Sequence, residues 1–91
     1  MEGSKMAAKE IRCKAVFVEF DVTVPGEDEE VFKVAVSEEF GRDIKEIIIS
    51  RHTQPSEDIL FRIRLAEPER GKLWRFLAAF CGKQGIEYLT I

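Results

Sequence analysis

Phe40-Gly-Arg-Asp-Ile-Lys-Glu-Ile-Ile-Ile-Ser50 is the stretch on which the reading of this chain turns. A mixed polar and apolar segment stops at Gly41, the chain reverses, and three isoleucines follow without a break. Glycine after an apolar-periodic run is a helix stop, and an unbroken β-branched run is a strand. Upstream, Phe32, Ala35, Val36 and Phe40 recur at helical spacing behind Asp28, which stands at the cap position, and an acidic first turn. Val31-Phe-Lys-Val-Ala-Val36 also reads as a strand folding back across the Pro25-Gly26 turn as a hairpin. The acidic start and glycine stop favour the helix, while three valines speak for the strand.

The remaining elements follow outward from this joint. Ile11 to Val24 alternates, with Val16, Val18, Phe20 and Val22 on a core face and Phe17, Glu19, Asp21 and Thr23 on the other. Ile44 to Arg51 is the second strand, and His52 to Asp58 a polar loop. Ile59, Phe61, Ile63 and Leu65 share one face of a third strand, with Leu60, Arg62 and Arg64 opposite. Pro68 suits the first turn of a second helix, in which Leu73, Phe76, Leu77 and Phe80 keep helical spacing. Gly85 ends that helix, with Gly82 as an earlier stop. Ile86 to Ile91 is read as a closing strand. The expected fold is therefore α+β: a ferredoxin-like βαββαβ sandwich, a four-stranded antiparallel sheet with two helices on one face. The expected strand order is 4-1-3-2, which makes the first and third strands central and sets Ile44–Arg51 at an edge.

Ninety-one residues make one domain. Residues 1–10 are small and polar and read as a disordered lead-in or an expression remnant, leaving 11–91 as the domain. Lys plus Arg is 14 against 17 Asp plus Glu, a net −3 that argues against a broad basic face for nucleic acid. No apolar run approaches membrane-spanning length and no secretory signal is evident. Cys13 and Cys81 stand at no metal-ligand spacing and read as small core or boundary residues in a reducing compartment, so a cytoplasmic protein is expected. No cofactor and no metal is expected. Glu27-Asp-Glu-Glu30 is a solvated helix start before it is a cation site. His52 has no identifiable orienting partner, so an enzyme acting through it is a distant alternative to a non-enzymatic protein.

Two resemblances are carried by local motifs. Ala35-Val-Ser-Glu-Glu-Phe-Gly41 with Asp43-Ile-Lys-Glu-Ile-Ile-Ile49, and Phe76-Leu77 through Gly85-Ile-Glu-Tyr-Leu-Thr-Ile91, resemble the helix, glycine and strand units of ACT and NIL domains. That resemblance covers about 75 residues in pattern. It implies a ligand- or protein-binding regulatory module. Val16-Phe-Val18, Glu39-Phe-Gly41, Ile44-Lys-Glu-Ile47 and Leu65-Ala-Glu-Pro68 are similar to parts of an RNA recognition motif. That likeness implies Phe17 as a stacking aromatic, with Leu60, Arg62 and Arg64 beside it. The third-strand aromatics of that family are missing here, because Leu60 and Arg62 stand where they belong, so RNA is a disfavoured partner.

The open sheet face is the expected binding surface, through Phe17, Glu19, Leu60, Arg62 and Arg64. The second strand is the expected edge interface, through Ile44, Ile47, Ile48, Ile49 and Arg51. Either Ile44 and Ile48 or Ile47 and Ile49 are expected to face outward as a set. That is more apolar than a solvated face requires, and an uncovered edge adds a second reason for pairing. A homodimer or a protein partner is therefore expected, with Arg62 and Arg64 near partner acids equivalent to Glu19 and Asp21. A small-molecule ligand is a further possibility, and a membrane partner is not expected.

Overall fold

A computed structural model describes residues 9–14 and 16–89. Residues 1–8, which contain most of the expected lead-in, lie outside the described residues, as do Ala15, Thr90 and Ile91. The described chain is a small α+β domain. It runs β1 (Phe17–Val24), α1 (Glu29–Phe40), β2 (Ile48–Thr53), β3 (Ile59–Ala66) and α2 (Arg70–Gln84). Short 3-10 turns at Gly26–Asp28, Ile44–Glu46 and Glu67–Glu69 lead into α1, β2 and α2.

Among the described residues the sheet has three antiparallel strands in the order β1-β3-β2. This corrects the expected four-stranded βαββαβ fold: Ile86 to Leu89 is not a strand, and β1 is an edge rather than a central strand. Glu87 supplies a physical reason. Paired on β1, the segment would set Glu87 either on the face of Glu19 and Asp21, where like charges repel, or among apolar side chains. The strand expected from Ile11 begins instead at Phe17. Its partner β3 ends opposite, at Ala66, and Pro68 then turns the chain into α2. Cys13 therefore lies outside any strand and is exposed, whereas Cys81 is half-buried on α2.

Residues 31–36 are helix. Val31 and Val34 face solvent, while Phe32, Val36 and Phe40 form the buried stripe, so β-branching costs only tenths of a kcal/mol against a whole apolar face buried. Asp28 stands at the cap position but makes no capping side-chain hydrogen bond. Gly41 closes the helix in the left-handed region (φ 62°), and Gly85 does the same for α2. Both helices cover one face of the sheet. Phe32 stacks on Phe61 of β3 with ring centroids 5.5 Å apart and meets Phe80 of α2 edge-on at 5.4 Å. Ile59, Phe61, Ile63 and Leu65 all point into this core, as the alternation of β3 requires.

Candidate binding surface

The face away from the helices is assembled from alternate residues of each strand. The register sets Glu19 opposite Arg64 and Asp21 opposite Arg62. Both pairs close within the chain: Arg64 Nη2 donates to Glu19 Oε2 at 2.7 Å, and Arg62 Nε to Asp21 Oδ1 at 3.0 Å. The hydrogen bond from Arg62 is the main cause holding the Asp21 carboxyl below its ordinary value. The expectation that these arginines await partner acids thus meets a simpler arrangement, with the acids on the neighbouring strand of the same chain. The signal was available in the sequence, since an antiparallel pairing of the two alternating strands brings opposite charges face to face.

At the ends of this charged centre lie apolar and neutral groups. Phe17, opposite Ala66, is 57% exposed. Leu60 is half-buried and pairs with His52 of β2. His52 is therefore a strand residue on the open face, not a loop residue, because β2 extends to Thr53.

The isoleucines divide differently from either expected set. The register of β2 against β3 slips between Ile48 and Ser50, so Ile49 is the extra residue of a bulge. Ile47 is fully buried, and Ile44 and Ile48 pack against the core from its margin. Ile49 alone of the four is exposed, at 40%. Arg51 stands opposite Phe61 on the helix side of the sheet. It forms a bidentate ion pair with Glu29 at the start of α1, with Nη2 to Oε1 at 2.8 Å. That hydrogen bond is the leading cause of the lowered Glu29 pKa, so Arg51 ties β2 to α1.

A second feature was not anticipated. Beside the outer edge of β1 lies a cleft of about 640 Å³, between that strand, α2 and Ile86–Leu89. Trp74 packs edge-on against Phe20 at 5.0 Å in its wall, and Phe20, Val22, Leu77 and Phe80 line its apolar part. Cys81 also lines it, and burial pushes that thiol's pKa up. Reading 86–91 as a strand concealed this space, since the strand would have filled it.

Among the described residues no cluster of His, Cys, Asp and Glu could hold a metal ion. No helix among them is long and apolar enough to cross a membrane. No protein-family model, curated protein or solved structure matches the chain.

Proposed function

We propose that this chain is a non-enzymatic, protein-binding regulatory module that engages a second copy or a partner protein through its sheet. One observation carries the reading. Among the described residues a three-stranded sheet is covered by helices on one face only, and its other face presents Phe17 at 57% exposure beside acids and arginines paired across β1 and β3. Paired charges reduce the desolvation cost of covering such a face, and an exposed aromatic at its end supplies an anchor. Self-association through this face predicts that light scattering on a size-exclusion column finds a dimer, and that Phe17→Asp shifts it to monomer. A strict monomer at every concentration contradicts the dimer.

The exposed ring of Phe17 favours a second reading, single-stranded RNA binding with Leu60 and Arg62. Against it, Arg62 and Arg64 are each engaged by a carboxylate. Titration of a labelled single-stranded RNA separates the two readings: RNA binding requires measurable affinity that Arg62→Glu reduces.

A further inference from the structure

We propose that the outer edge of β1 and the cleft beside it receive an extended segment of another polypeptide, in which apolar residues alternate with lysine or arginine. This rests on the protein-binding reading above and names the partner's chemistry.

The backbone comes first. Arg64 N–H donates to Ile47 C=O at 2.8 Å, and Glu67 N–H donates to Val16 C=O at 3.1 Å. Arg64 therefore turns its main-chain groups toward β2, and its neighbours Ile63 and Leu65 turn theirs toward β1. In an antiparallel ladder, bonded and non-bonded opposing pairs alternate. Val18, Phe20, Val22 and Val24 thus bond to β3, while Phe17, Glu19, Asp21 and Thr23 turn N–H and C=O outward. Among the described residues no backbone hydrogen bond reaches these four from beyond β1. Unpaired strand edges of this kind accept an added strand.

The cleft supplies the side-chain half. A strand laid on β1 sends alternate residues to each face. One set enters the apolar wall formed by Phe20, Trp74 and Leu77. The other set lies on the open face next to Glu19 and Asp21, which each hold an arginine of β3 but stay about half-exposed, so a cation beside them is favoured over a further carboxylate.

The same charges argue against a second copy at this edge. Antiparallel pairing of β1 with itself sets outward residues opposite outward residues. Its central registers place Glu19 opposite Asp21, or either residue opposite its own copy. The partner is therefore a different segment, read by main-chain bonds along the edge, apolar side chains in the cleft and cations beside the acids.

The test uses the full chain labelled with 15N. Two capped heptapeptide probes are titrated, one alternating valine with lysine and one alternating valine with glutamate. The lysine probe is expected to shift the amides of Phe17, Glu19, Asp21 and Thr23 and to bind about tenfold or more tighter than the glutamate probe, the equivalent of about 1.4 kcal/mol. Thr23→Pro removes one outward N–H while keeping both ion pairs and the β1–β3 ladder. It is expected to weaken the lysine probe several-fold. Equal binding of the two probes, shifts confined to Arg51 and Thr53 on β2, or no binding of either overturns the inference. If the chain also self-associates and Phe17→Asp abolishes that, the protein-binding reading stands without this edge. A monomer that binds neither probe removes the dimer and this edge site together.

Discussion

Gly26 has no room for a side chain. A Cβ there would lie 2.4 Å from the Glu57 carbonyl oxygen, where the β2–β3 loop crosses the turn into α1. Glu57 is itself held at φ 72°, in the left-handed region. Gly26→Ala must therefore displace a backbone carbonyl and is expected to destabilise by about 1–3 kcal/mol. Glu57→Gly relieves the unfavourable φ, partly offset by a more flexible unfolded chain, and is expected to stabilise by up to about 1 kcal/mol. Urea unfolding followed by circular dichroism measures both, and an unchanged stability of Gly26→Ala contradicts the close approach to the Glu57 carbonyl. In the core, Phe32 meets Phe61, Phe76 and Phe80 at once and is 1% exposed. Phe32→Ala is expected to cost about 3–5 kcal/mol in the same assay.

At the scale of elements, the two helices are tied at one end by a single carboxylate. Glu69, at the start of α2, accepts two hydrogen bonds from Arg42 Nη2, at 2.8 and 2.9 Å, and a third from the Ala66 N–H at 3.1 Å. Arg42 follows the glycine that ends α1, so this contact fixes the α1 exit against the α2 entry. The pair is partly exposed, and a double-mutant cycle of Arg42→Ala with Glu69→Ala is expected to give a coupling of about 0.5–1 kcal/mol. Coupling near zero removes the tie. Elements were legible in the sequence wherever apolar spacing and stop signals agreed: Phe32, Val36, Phe40 and Gly41 for α1, Leu73 to Phe80 and Gly85 for α2, and the alternation of Ile59 to Leu65 for β3. The bulge at Ile49 was not legible, because three successive isoleucines have no period that shows which residue is extra. The end of the sheet was not legible either. Ile86 to Leu89 has strand composition, and what opposes pairing is Glu87 meeting the acids of a strand more than sixty residues earlier in the chain, which is a tertiary effect.

For the whole molecule, ion pairs join β1 to β3 and β2 to α1, and they set its response to acid. Asp21 and Glu29 are held below their ordinary values, first by hydrogen bonds from Arg62 and Arg51. A carboxylate whose pKa falls on folding stabilises the fold above its unfolded value, and that contribution is lost as pH falls through the folded value. For these two groups the thermal midpoint is expected to be level from neutrality to about pH 5 and to fall below about pH 4. The double variant Asp21→Asn with Glu29→Gln is expected to show a lower midpoint at pH 7 and a shallower acid fall. An unchanged acid limb contradicts the pairing.

The proposed docking of an extended segment depends on the sheet ending at β1 with one row of main-chain groups outward. Residue-resolved amide exchange on the free chain at low concentration tests this most directly. The account predicts alternation along β1: protection at Val18, Phe20, Val22 and Val24, with fast exchange at Phe17, Glu19, Asp21 and Thr23. Protection at all eight positions would show a further strand already paired there and would contradict the account.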